Sequence, residues 1–150
     1  MIRKTINYYQ AKLVKAMWRR QFYFFMSQLM EEIRSGSGCL KMLSLDSRQS
    51  SESQLCEPEL FAGAVTKLTV FEYFGKNIET NHMKALFERI IKDPDQINLR
   101  RVYLGISPPV WIKIEKDLHG EYCEAKKHVK FFMKKQNVKD RKKLCRLQIV

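Results

Sequence analysis

The chain is poor in the residues that interrupt helices, with only 6 glycines and 4 prolines among 150 residues. Glycine and proline supply many turns, and their scarcity, together with abundant Phe, Met, Leu and Lys, favours helices over sheets. Long apolar runs are also missing. The longest, Phe22 to Met26, is far too short to cross a membrane, and no signal-peptide pattern is visible. No internal repeat is evident.

Cysteine and histidine are few, and their spacing suits neither a metal site nor catalysis. The 4 cysteines include no Cys-x-x-Cys pair or Cys/His ligand pair, so a zinc site is not expected. We interpret His82, His119 and His128 as structural. Cys123 lacks a base and an orienting group in the sequence, and no phosphate-binding glycine motif occurs. We therefore expect no enzyme activity and no cofactor. Reduced thiols favour a cytoplasmic location, with the nucleus as the alternative.

Positive charge is concentrated towards both ends of the sequence. The net charge is +12, and residues 1–20 hold six basic residues with no acid, while residues 126–146 hold ten against one. Such segments suit nucleic acid or anionic membrane surfaces, the alternative being a solvated tail. The residues that we assign to polyanion binding are Lys134, Lys135, Lys139, Arg141, Lys142 and Lys143.

Apolar residues at helical spacing predict an all-α fold of about five helices. The chain divides into a long basic and amphipathic helix (1–34), a Ser-rich flexible linker (35–57), a helical domain (58–136) and a basic tail (137–150). The apolar face of the first helix is formed by Phe22, Phe25, Met26, Leu29, Met30 and Ile33.

Within residues 58–136 we predict four helices. The first begins at Pro58, continues through Phe71 and ends at Gly75; the run from Val65 to Phe74 also suits a strand, but the helical spacing is more complete. The second begins at Thr80 or Asn81 and stops at Asp93–Pro94. The third begins at Ser107–Pro108 and closes at His119–Gly120. The fourth extends from Tyr122 to about Gln136.

The order of these elements resembles the C-terminal half of the regulator-of-G-protein-signalling (RGS) box, over about residues 83–135. The matching residues are Phe87, Ile90, Ile97, Asn98, Ile112, Leu118, Tyr122, Glu124, Ala125, Val129 and Met133. The resemblance implies an RGS-like helical bundle, complete or incomplete, that binds a Gα subunit or another protein. It also implies protein-binding roles for Asn98, His119 and Glu121; for Asn98 the alternative is a turn-forming role.

Two hypotheses follow. The first is a non-enzymatic signalling or interaction module that resembles an RGS domain. The family acts by stabilising a conformation of Gα, and the short His119–Gly120–Glu121 loop departs from the family pattern. The second is a basic helical protein that binds nucleic acid or anionic membranes. The basic end and the missing first half of the box suggest that the chain is part, or an alternative product, of a longer protein.

Overall fold

The computed structural model describes residues 21–36, 40–48, 54–134 and 146–149. In these ranges the chain is an α/β structure with five helices and a five-stranded sheet. The all-α fold class is therefore wrong, and so is the purely helical bundle that the resemblance to the RGS box implies.

Helices and strands alternate along most of the described chain. In order they are α1 (Phe22–Ser35), β1 (Met42–Asp46), α2 (Pro58–Val65), β2 (Val70–Phe74), α3 (Thr80–Lys92), β3 (Arg101–Gly105), α4 (Pro108–Asp117), α5 (His119–Ala125), β4 (Lys130–Met133) and β5 (Arg146–Ile149).

The sheet has the strand order β4-β3-β2-β1-β5. Strands β1 to β4 are parallel, and β5 lies antiparallel to β1. Each parallel strand lies beside the next one in the chain, so right-handed crossovers place the connecting helices on one face of the sheet. Consistent with this, α1 contacts α2, α2 contacts α3, and α3 contacts α4 and α5. The result is a two-layer structure.

The four parallel strands belong to repeated strand–helix units. Met42, Val70, Arg101 and Lys130 lie opposite one another, so the strands recur at intervals of 28, 31 and 29 residues. The pattern apolar-x-x-apolar-x-apolar occurs at residues 40–45, 68–73 and 99–104. We find no internal repeat by sequence alone because the repeated positions hold Leu, Phe, Tyr or Val, and share only apolar character.

The core lies between the helices and the sheet. The six residues predicted for the apolar face of α1 are all buried, which confirms that face over the described part of the helix. The preceding residues of that predicted helix lie outside the described ranges. On the sheet side, alternate strand residues are buried against the helices: Leu43, Leu45, Phe71, Tyr73, Val102 and Leu104.

The predicted helix from Pro58 to Gly75 is wrong beyond Val65, because residues 70–74 form β2. In β2, Phe71 and Tyr73 are buried and alternate with the half-buried Glu72 and Phe74, which is the two-residue period of a strand. In the sequence, the buried residues of β2 happen to continue the spacing of the apolar residues on the buried face of α2. The two elements together therefore look like one helix.

Three further strands, β4, β3 and β1, lie where no strand was predicted. The fourth predicted helix is wrong beyond Ala125, because α5 ends there and residues 130–133 form β4. Strand β3 follows Ile97–Leu99, between the second and third predicted helices, and β1 lies within the segment 35–57 that we predicted as a Ser-rich flexible linker. The stop of α3 before Asp93–Pro94 and the start of α4 after Ser107 are confirmed, whereas Gly120 lies inside α5.

Candidate binding surface

The three residues predicted to bind a protein lie on separate elements. Asn98 lies in the loop before β3, whereas His119 and Glu121 belong to α5. The Asn98 backbone N–H donates to the Thr66 carbonyl at 3.0 Å, and its side-chain amide contacts the Lys67 carbonyl at 3.4 Å. Asn98 thus joins two loops through contacts that are distant in sequence, rather than through the local hydrogen bonds of a turn. No hydrogen bond or ion pair of the described residues joins it to His119 or Glu121.

Of the six residues assigned to polyanion binding, Lys134 is the one that the structure describes, directly after β4. The other five, Lys135, Lys139, Arg141, Lys142 and Lys143, lie outside the described ranges. Two apolar residues in the RGS-like match are exposed rather than buried: Ile112 is 64% exposed, and Met133 is also on the surface. Those positions of the match do not contribute to a core.

A groove of about 310 Å³ adjoins Asn98, and its lining includes Lys67, Arg89 and Lys92. It lies where α2 and α3 end, since Thr66 is the C-cap of α2 and Asp93 that of α3. The carbonyl ends of helices carry partial negative charge, which favours cations and disfavours anions. These cations therefore have a structural explanation, and the groove is a poor anion site despite its basic lining.

The face of the sheet that points away from the helices carries a group of side chains of which Lys134 alone was assigned a binding role from the sequence. We call it the β3–β4 patch: Arg101, Tyr103, Lys130, Phe132 and Lys134. Alternation places residues 101 and 103, and 130, 132 and 134, on the same face. Recognition of β4 as a strand would have revealed its part of the patch, because the pattern Lys-x-Phe-x-Lys is visible in the sequence.

Two aromatic side chains of this face stack across β3 and β4, and Lys134 links them to Phe74 on β2. Tyr103 lies directly opposite Phe132, and their rings stack with centroids 4.9 Å apart and planes 16° from parallel. The Lys134 ammonium lies 4.9 Å from the Tyr103 ring centroid and 5.7 Å from that of Phe74. Both distances suit cation–π attraction. The stack ends at Phe132, which is 40% exposed.

Acidic residues lie at the inner side of the same face, and their charges are already engaged. Glu72 accepts a hydrogen bond from Ser44 at 2.8 Å and pairs with Lys134 at 2.7 Å. Asp46 pairs with Arg48 at 2.6 Å. The Glu72 side chain is 13% exposed, whereas that of Lys134 is 42% exposed. The solvent-facing layer is therefore cationic and aromatic.

Arg101 and Lys130 are direct cross-strand neighbours, both exposed. Like charges that face each other across strands are unfavourable. Arg101 contacts the Tyr103 hydroxyl at 3.5 Å, but within the described residues no acid forms an ion pair with either cation. In the described part of the chain, no acidic side chain offsets the repulsion between these two cations.

A second polar cluster lies inside the core and has a structural role. The Ser47 hydroxyl donates to the Tyr73 oxygen at 2.9 Å, and the Tyr73 hydroxyl lies 3.0 Å from the Asn77 side-chain oxygen. The Asn77 backbone N–H donates to the Tyr73 oxygen at 3.0 Å. Burial raises the pKa of Tyr73. The cluster is satisfied and closed to solvent, so it joins the ends of β1 and β2 rather than offering a ligand site.

His82 and Cys56 form another buried contact. His82 Nδ1 accepts from the Glu79 N–H at 3.0 Å, so Nε2 carries the proton that is donated to the Cys56 carbonyl at 2.6 Å. Burial lowers the pKa of His82, although the Cys56 carbonyl and the Glu79 charge oppose the shift. Burial raises the pKa of the Cys56 thiol to about 12, which makes it unreactive.

Cys123 has a histidine neighbour that the sequence analysis did not identify. His119 Nε2 lies 3.7 Å from Cys123 Sγ, one helical turn away on α5. The four-residue spacing would have suggested the contact. No third group orients the ring in the described residues, so the pair alone does not define a nucleophilic centre.

The described residues contain no cluster of His, Cys, Asp or Glu suited to a metal ion. None of the helices in the described ranges combines the length and the apolar character needed to span a bilayer. Comparison of the chain with protein-family models, with curated proteins and with solved structures gives no match. The class that the structure defines is a two-layer α/β protein with a cationic and aromatic patch on its sheet.

Proposed function

We propose that the chain is a non-enzymatic interaction module that binds an acidic part of another protein through the β3–β4 patch. One observation carries this proposal: Arg101 faces Lys130 directly, and no acid of the described residues pairs with either. A partner's carboxylate placed between these cations removes a repulsion and gains two charge-assisted hydrogen bonds. The stacked Tyr103 and Phe132 rings supply apolar contact area beside them.

The repeated architecture supports a binding role by analogy. Stacked strand–helix units expose a continuous surface that repeat proteins use to bind partners. Here the helices cover one face, and exposure of the other face increases from the buried Ser44 on β1 to Phe132 on β4. The exposed part of the sheet therefore coincides with the basic part.

The test is a binding measurement with a charge-reversed variant and a control of equal charge. Immobilised wild-type chain is compared with the double variant Arg101→Glu/Lys130→Glu and with Lys84→Glu/Lys113→Glu, whose changes lie on exposed positions of α3 and α4. The probes are an acidic peptide and, following the RGS resemblance, a Gα subunit in its transition-state-mimic form. We expect the patch variant alone to lose at least tenfold in affinity. Equal losses of affinity in both double variants would show that binding depends on the net charge of the chain and not on the β3–β4 patch.

A second candidate is binding of single-stranded nucleic acid. It is favoured by the exposed ring of Phe132 and by the excess of 28 Lys and Arg over 16 Asp and Glu, because single strands bind to aromatic rings within basic surfaces. Labelled single-stranded RNA tests it by fluorescence anisotropy. This function predicts an affinity that falls steeply with salt and, for Phe132→Ala, a loss of about 1–3 kcal/mol from one stacked base.

A further inference from the structure

We propose that the partner's acidic segment binds as an added β-strand along the outer edge of β4. This inference rests on the proposed function and specifies its geometry. Strand β4 is the last in the order β4-β3-β2-β1-β5, and in the described residues it pairs with β3 alone. An edge strand presents unpaired backbone groups to which an extended segment can bind.

The register identifies which backbone groups of β4 point outwards. The N–H of Lys130 donates to the Arg100 carbonyl, and the N–H of Lys134 donates to the Leu104 carbonyl. The backbone groups at these positions therefore point towards β3. Because the direction alternates along a parallel strand, the backbone groups of Phe131 and Met133 point away from β3, to the outer edge of β4. Met133 is 42% exposed, so an incoming strand has access to this part of the edge.

The side chains of β4 determine what the added strand carries. On the open face Lys130, Phe132 and Lys134 follow one another at two-residue intervals, and Arg101 stands behind Lys130. On the helix side the edge presents Phe131 and Met133. Cross-strand pairing therefore fits an acidic residue opposite Lys130 and a second opposite Lys134, whose ammonium also pairs with Glu72. It fits apolar residues opposite Phe132, Phe131 and Met133. The occupant is an extended segment with acids four residues apart and apolar residues between them.

Charge favours this occupant over a second copy of the chain. Pairing of two β4 edges brings the lysines at positions 130 and 134 of both copies together, and lysine on an edge strand disfavours such pairing. The basic segments of the same chain, residues 1–20 and 135–143, are disfavoured by the same repulsion. An acidic segment turns that repulsion into attraction.

The experiment uses the full chain and three peptides with Glu at positions 3 and 7 and Val between them. One has normal amides; the other two carry N-methyl groups at alternate amides, in the two opposite phases. N-methylation removes hydrogen-bond donors along one edge of a peptide strand. We expect one phase to weaken binding at least tenfold and the other less than threefold, as measured by fluorescence anisotropy at low salt.

Two variants of the chain at position 133 test the same backbone hydrogen bonds from the side of β4. Met133→Pro removes one outward N–H, which an edge strand tolerates, while Met133→Ala removes the same side chain and keeps the N–H. The proline variant should bind the unmodified peptide at least tenfold more weakly than the alanine variant, with its thermal midpoint checking the fold. Should proline unfold the chain, the peptide series still decides.

The outcomes separate this inference from the proposed function. Equal binding of both methylated peptides, with affinity still lost in Arg101→Glu/Lys130→Glu, overturns strand addition and leaves the charged surface. No binding of any acidic peptide overturns both. Tighter binding of single-stranded RNA than of the peptides assigns the patch to the second candidate, and dimerisation of the free chain through β4 assigns the edge to a second copy.

Discussion

The two faces of the sheet are formed by alternate residues of the same strands, yet they differ in chemistry. On β3, Val102 and Leu104 are buried beneath the helices, while Arg101 and Tyr103 point to the other side. The helix side excludes water and derives its stability from apolar burial. The open side of β3 and β4 keeps cations and stacked rings near solvent, where they add little stability. The difference indicates that the helix side holds the fold together, and that the open side is available for a partner.

The largest expected contrast comes from one phenylalanine on each face. Phe71→Ala removes a fully buried ring that packs against Phe61 with centroids 5.7 Å apart, and should lower the free energy of unfolding by about 3–5 kcal/mol. Phe132→Ala removes an exposed ring and should cost less than about 1 kcal/mol. Urea unfolding of both variants measures the difference. Similar losses would contradict the division of the sheet into two faces.

The helix side was partly predictable from the sequence. The buried face of α1 and the boundaries at Asp93 and Ser107 follow from helical spacing and from the prolines beside the two boundaries, and the structure confirms them. Strands β2 and β4 were not predicted, because apolar residues of short strands continue the stripes of the preceding helices. Period alone does not distinguish the two when a strand has only four or five residues.

The candidate surface was less predictable still. Its five residues come from two strands that are brought together only by their register, for example Arg101 opposite Lys130. Such pairing depends on the crossover through α4 and α5, and no local sequence signal encodes it. The excess of basic residues after residue 126 was evident, but its organisation around the Tyr103 and Phe132 rings was not.

Two asparagines, one buried and one exposed, allow the contribution of a polar side chain to stability to be compared. Asn77 is fully buried in the cluster with Ser47 and Tyr73, and Asn77→Ala should cost about 1–3 kcal/mol because it leaves buried polar atoms without their partner. Asn98 is exposed, and its side chain makes a 3.4 Å contact, so Asn98→Ala should change stability by less than about 0.5 kcal/mol. Thermal and urea unfolding measure both. A larger effect at Asn98 would show that its loop, rather than the cluster, limits stability.

Acid should weaken the helix side through His82. Burial holds the pKa of His82 below its ordinary value of 6.5, so the unfolded chain binds a proton more readily. This contribution to stability is complete above about pH 6.5 and decreases as the pH falls towards the folded pKa, by at most about 1.4 kcal/mol per pH unit. Urea unfolding from pH 7.5 to 5 should therefore show a slope that His82→Gln reduces. The exposed control, His128→Gln, should keep it, and an unchanged slope in His82→Gln would exclude this assignment.

The smallest expected effect has the opposite sign on stability and on binding. Arg101→Glu converts the like-charged pair with Lys130 into an opposite-charged pair and should raise the free energy of unfolding by about 0.2–1 kcal/mol, whereas Arg101→Gln should give part of that gain. Arg101→Glu/Lys130→Glu restores a like-charged pair, so its stability should return towards that of the wild type. With Lys130→Glu as the second single variant, the double-mutant cycle isolates the cross-strand term. Acidic-peptide binding should nevertheless be lost in both variants that replace Arg101 by glutamate, because affinity follows the sign of the patch and not the stability of the pair. If Arg101→Glu instead lowers stability, a carboxylate of the chain itself already pairs with Arg101 in the folded state. The carboxylate that we assign to a partner would then be unnecessary.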